Sequence, residues 1–175
     1  QHKVKTPEED AEKLIASAKR SGIEKMILFS LHRSTPREPT MSQCREANDW
    51  AMEMTAAAPD VFLPFCYVNP MYPTQSVEEI ERCVGEGKMC GVKLWVARRA
   101  TDPGLDPIVD KAIRLRVSIL QHAWIKTTGN LEGESFPADV ADLGKRHPLA
   151  KIIMAHMNGV GLRGIEDIAD TPNVV

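Results

Sequence analysis

Short apolar runs alternate with helix-patterned stretches along this chain, and that alternation limits the fold more than any other feature. Strand-like runs begin near residues 26, 61, 90, 117, 151 and 173. Between them, apolar residues recur at helical spacing. Steady strand–helix–strand repetition means a parallel sheet with right-handed crossovers and covering helices.

The helix signals are local. Thr6-Pro7-Glu8-Glu9 supplies an N-cap, a proline at the first helical position and a capping-box glutamate, and Gly22 ends that helix. A helix over about Ser42 to Ala58 places Ala47, Trp50, Ala51 and Met54 on one face. The next starts near Thr74 and turns Val77, Ile80 and Val84 inward. Ile108, Val109, Ala112 and Ile113 mark a fourth, Pro137 to Lys145 a fifth, and Leu162, Ile165 and Ile168 a sixth. The strands expected between them are Met26–Phe29, Val61–Val68, Cys90–Trp95, Val117–His122 and Lys151–His156, with a last one opening at Pro172-Asn173-Val174-Val175.

An open doubly wound sheet and a (βα)8 barrel both fit this pattern. No GxGxxG or phosphate loop follows any strand, which favours the barrel. A barrel takes eight strands and typically about 250 residues. The expectation is therefore one α/β domain over residues 1–175, representing roughly strands 2–7 of a TIM-type barrel truncated at both ends. Its unpaired edges predict association, with a homo-oligomer as one form.

Net charge is −2 with both signs dispersed, so no basic stripe suggests a nucleic-acid partner. No apolar stretch approaches the ~20 residues of a membrane span. Cys44, Cys66, Cys83 and Cys90 form no CxxC pair, and Cys66 and Cys90 fall in strand-like runs. Reduced, mostly buried thiols in a cytoplasmic protein are expected.

Two strands end in histidine: Ile119-Leu120-Gln121-His122 and Ile153-Met154-Ala155-His156. The C-terminal strand edge is where α/β folds assemble sites. Neighbouring strands lie about 4.8 Å apart, so two such imidazoles reach one metal ion. Two buried core histidines are the competing reading.

Ala47-Asn48-Asp49-Trp50, Pro59-Asp60-Val61-Phe62, Val68-Asn69-Pro70, Gly91-Val92-Lys93-Leu94, Leu120-Gln121-His122 and Ile152-Ile153-Met154-Ala155-His156-Met157-Asn158-Gly159, in this order, resemble the amidohydrolase-related family of metal-dependent TIM-barrel hydrolases. The resemblance implies a divalent metal, usually zinc, with His122 and His156 as ligands from strands five and six. The family's first-strand HxH pair and strand-eight Asp have no counterpart here, and Asn158 stands where a glycine is common. It also implies water activated by that metal, attacking an amide, ester or lactone carbonyl of a small molecule. Related barrels use the same site as lyases, for decarboxylation or hydration of small acids. A metal-free, non-catalytic domain is the third reading.

Lys93 ends a strand on the same edge. It is read as the catalytic-site cation that meets a substrate carboxylate, as a carbamylated ligand, or as a lysine paired with a neighbouring acid. Trp124 either walls a pocket or packs, and Asn158 is placed at the substrate. Arg98 and Arg99 are either a bidentate grip on an anionic substrate or solvated loop charges. His32 lies at the same mouth, and His147 is read as structural at a helix C-terminus. The polar stretch from Thr127 to Glu134 is a lid or an ordinary surface loop.

Overall fold

The computed structural model describes residues 6–158 and 162–175. Five parallel strands, β1 (Met26–Leu28), β2 (Phe62–Tyr67), β3 (Gly91–Leu94), β4 (Ser118–Gln121) and β5 (Lys151–Met154), lie side by side in chain order. Helices α1 (Pro7–Arg20), α2 (Met41–Ala57), α3 (Pro73–Ile80), α4 (Asp106–Leu115), α5 (Pro137–Arg146) and α6 (Arg163–Ile168) alternate with them. Sequential parallel pairing with one crossover per step, curling the sheet toward one face, makes this a half-barrel of the incomplete TIM type.

The helix starts follow side-chain chemistry. The Thr6 hydroxyl accepts from Glu9 N at 3.2 Å, with Pro7 at the first helical position. Thr40 caps α2 reciprocally: its hydroxyl accepts from Gln43 N, and its own N–H donates to the Gln43 side chain at 2.9 Å. Gly22 takes φ +66° after α1, as a helix-ending glycine should. The turn after α3 winds into a π-helix at Glu81–Gly85, which the sequence pattern did not anticipate.

Alternation along the strands sorts the two faces of the sheet. Val92, Ile119 and Ile152 lie in register across β3, β4 and β5 and join the core beneath α3, α4 and α5. Lys93, Leu120 and Ile153 are the register set on the other, concave face. Leu28 and Phe62 join a second cluster with Ala11 and Met54, under α1 and α2.

Three expectations change. Cys90 stands just before β3 and is exposed, while the other three cysteines are buried. The run from Pro172 contributes a single parallel bridge, Ile152 to Val174. The β5 strand stops at Met154, and Ala155–Asn158 tightens into a 3₁₀ turn carrying His156 at φ +68°.

Candidate metal centre

β4 and β5 pair residue for residue from Ser118–Lys151 to Gln121–Met154, so the residues following each strand emerge side by side. His122 follows Gln121 directly, opposite Ala155, and His156 comes one residue further on, in the 3₁₀ turn where its backbone takes φ +68°. His122 Nδ1 stands 3.2 Å from His156 Nε2. Two imidazole nitrogens bound to one tetrahedral zinc at about 2.0 Å each stand about 3.3 Å apart. The donor atoms already span the edge of such a coordination sphere. Burial, first of all, pushes the His122 imidazole down to about 4, with Lys93 and His156 adding in the same direction against Glu134. Burial and Lys93 also lower His156. Both rings are neutral near pH 7, the form that ligates a metal.

The two histidines open onto a cavity of about 420 Å³ on the concave face. Trp124, Trp95, Phe29, Leu31 and Leu131 wall it with apolar surface. The Trp124 ring lies 4.2 Å from the His156 ring, tilted by 47°. Lys93 lines the same cavity and is only 2% exposed. Its Nζ donates to the carbonyls of Leu94, at 2.8 Å, and Leu120, at 3.3 Å. The acid partner weighed for it from sequence is not among these bonds. Burial alone brings its amine down to about 7. Lys93, Trp124, His122 and His156 thus line one cavity.

One residue of this constellation was missed. Glu134, at the end of the polar stretch after β4, is 1% exposed and accepts from His122 Nε2 at 2.7 Å. Lys126 Nζ stands 2.8 Å from the same oxygen. Burial opposes its ionisation, but Lys126, the Leu131 N–H and His122 outweigh that and lower its pKa. A glutamate in a polar loop carries no sequence mark of burial. The one available signal is its place twelve residues after a strand-end histidine and just before a helix.

Other expected residues lie apart. Arg98 pairs with Glu38 at 3.7 Å and Asp102 at 3.5 Å, beside a different, polar cavity. Arg99 grips Asp139 bidentately, an anion of the protein itself. Asn158 ends the 3₁₀ turn, with its side chain outside the described residues. His147 caps α5 and meets Asp106 at 2.8 Å, a structural role as expected. His32 borders a cavity of about 710 Å³ with Asp10 and Trp50, near β1. Its ring nitrogens are taken by Ser34 and Glu46. Cys66, Glu79 and Cys83 bring possible ligand atoms within 4.8 Å of one another. Glu79, however, is already filled by Asn48, Arg82 and Arg45, and burial raises the Cys66 thiol, so this cluster reads as core.

The Amidohydrolase family model matches residues 33–175. No curated protein matches the chain significantly. Among solved structures, 2,6-dihydroxybenzoate decarboxylase from Rhizobium is similar at TM-score 0.66 and 22% identity, over 86% of this chain and 57% of that one. 5-Carboxyvanillate decarboxylase from Novosphingobium aromaticivorans, in complex with manganese and 4-hydroxy-3-methoxy-5-nitrobenzoic acid, is similar at 0.65 and 19%, over 83% and 49%. 4-Oxalomesaconate hydratase from Rhodopseudomonas palustris is similar at 0.57 and 18%, over 83% and 48%. The chain spans about half the length of these proteins. At such identities the likeness speaks for the fold. Among the described residues no helix is long and apolar enough to cross a membrane.

Proposed function

Because the chain belongs to the amidohydrolase family, we propose that it supplies the substrate-holding half of a metal-dependent lyase that decarboxylates or hydrates a small carboxylic acid. The observation that carries the reading is the 3.2 Å approach of His122 Nδ1 and His156 Nε2, beside a buried lysine in an aromatic-walled cavity. The two decarboxylases and the hydratase of similar fold support lyase chemistry over the carbonyl hydrolysis expected from sequence. Hydrolysis of an amide, ester or lactone at the same metal is the second reading, supported by family membership alone.

His122 Nδ1 and His156 Nε2 would hold a divalent cation, whose Lewis acidity polarises a substrate oxygen when it is bound. Manganese accompanies several of the similar decarboxylase structures, so Mn²⁺ is placed ahead of the zinc expected from sequence. Lys93, titrating at about 7, gains its proton when a carboxylate enters, because an opposite charge favours the ammonium. The substrate carboxylate and Lys93 then form a pair desolvated by Phe29, Leu31 and Leu120. Trp124 offers its face to a flat, unsaturated acid. The polar stretch after β4 serves here as a wall of the cavity through Leu131 and Glu134.

Equilibrium dialysis of the purified chain against Mn²⁺ and Zn²⁺ tests the metal centre. The expected result is metal uptake that His122→Ala with His156→Ala removes. Equal uptake by both proteins would retire the reading. Carbon dioxide release from hydroxybenzoic acids, against acid release from amides, esters and lactones, then separates lyase from hydrolase.

A further inference from the structure

We propose that Glu134 is a positioning residue that fixes His122 as its Nε2–H tautomer, so that Nδ1 is the nitrogen left to bind a cation. The inference deepens the metal reading above, on which its cation-binding consequence rests.

The Glu134 carboxylate has only acceptors to offer when ionised. Oε1 faces His122 Nε2 at 2.7 Å and Lys126 Nζ at 2.8 Å, and Oε2 accepts from Leu131 N at 3.0 Å. A lone pair on His122 Nε2 would oppose that oxygen, so the ring proton sits on Nε2. A neutral imidazole carries one proton, and Nδ1 is therefore bare. Nδ1 is also the atom 3.2 Å from His156 Nε2. The opposite tautomer would aim an N–H at the position of the cation and remove one of the two ligands.

Glu134 holds this place because its loop is tied at both ends. Trp124 N donates to Ser135 O at 3.0 Å across the loop base. Asn130 Nδ2 donates to Trp124 O at 2.7 Å, and Asn130 Oδ1 accepts from Lys126 N at 3.0 Å. The loop read from sequence as a lid or a surface segment thus carries a buried carboxylate that orients a strand-end histidine. Carboxylates that orient ligating histidines typically contribute 10–100-fold to metal affinity.

The test is long-range ¹⁵N–¹H correlation of the His122 ring in the metal-free chain, with Zn²⁺ affinity by chelator competition beside it. Pyrrole-type Nε2 and pyridine-type Nδ1 signals are expected in the wild type. In Glu134→Ala the signals should move toward a tautomer mixture, and Zn²⁺ affinity should fall about 10–100-fold. Lys126→Ala should keep the tautomer. A wild-type proton on Nδ1 overturns the proposal without any variant, as does an unchanged tautomer in Glu134→Ala. A chain whose expected tautomer is lost in Glu134→Ala, yet that binds neither Mn²⁺ nor Zn²⁺, retires the metal reading and upholds the orientation by Glu134. Zn²⁺ binding with the proton on Nδ1 does the reverse.

Discussion

A Cβ on Gly133 would stand 2.1 Å from the carbonyl oxygen of Val96. The loop that carries Glu134 therefore lies backbone against backbone on the segment leaving β3, and only glycine permits that approach. Gly133→Ala should cost about 1–3 kcal/mol, in the range of overpacked sites. It should also displace Glu134 from His122. Urea unfolding reads the first effect and the His122 Nε2–H resonance the second. An unchanged midpoint with an unchanged resonance would show that the loop has room to spare.

Lys93 should make stability depend on alkaline pH. Its buried amine titrates at about 7, against an ordinary value of 10.5. As the pH falls from 10.5 to 7, the unfolded chain takes up a proton that the native chain refuses. Native stability contributed by the neutral amine is therefore present above that window and lost as the pH falls through it. Buried Cys44, pushed up to about 12, acts oppositely above the ordinary thiol range. Comparison with Lys93→Met cancels that thiol contribution. The variant should be the more stable at pH 7, by on the order of 4 kcal/mol, with the gap closing toward pH 10. A gap that does not change with pH would place Lys93 in water.

Glu79 is 2% exposed and accepts from Asn48 Nδ2 at 2.9 Å and from Arg82 at 2.6 Å. Asn48 in turn spans α2 and β2 by accepting from Tyr67 N at 2.7 Å. Glu79→Ala leaves these donors without their acceptor and should cost about 3 kcal/mol. Arg82→Ala added to it should cost little more, since the pair is already broken. Denaturant midpoints of the two single variants and the double variant decide it; additive losses would dissolve the network.

The cysteines should separate by reactivity. Cys90 is exposed, whereas Cys44, Cys66 and Cys83 are buried. Burial raises the Cys44 and Cys66 thiols, which reduces the thiolate that reacts. A disulfide reagent at pH 8 should modify Cys90 first in the native chain and reach the others only on unfolding. Rapid labelling that survives in Cys90→Ser would place a second thiol at the surface.

Most of the architecture is legible in the sequence because it depends on local patterns. The apolar runs at Met26, Val117 and Lys151 are strands, and Pro7 and Pro137 stand at helix starts. The edge that holds both histidines follows from the same logic, since parallel strands in register end together, but the 3₁₀ turn that carries His156 past Met154 does not show in the apolar pattern. What escaped depends on tertiary partners. Glu134 has the composition of a solvated loop until Leu131, Lys126 and His122 surround it. The apolar spacing starts α2 near Ser42, one residue late, and so does not mark Thr40 as its cap; the reciprocal bond with Gln43 marks the true start. The winding of Glu81–Gly85 into a π-helix leaves no trace in apolar spacing.

The residue-for-residue register of β4 and β5 has a consequence for how such a site changes over evolution. The ladder fixes the backbone from which His122 leaves β4, and the turn after Met154, with φ +68° at His156, brings the second imidazole to it. The cavity walls come from Phe29, Trp95, Trp124 and Leu131, on separate segments. The spacing of the two imidazoles and much of the cavity lining thus come from different parts of the chain. The lining can be redrawn while the spacing of the two rings stays as it is.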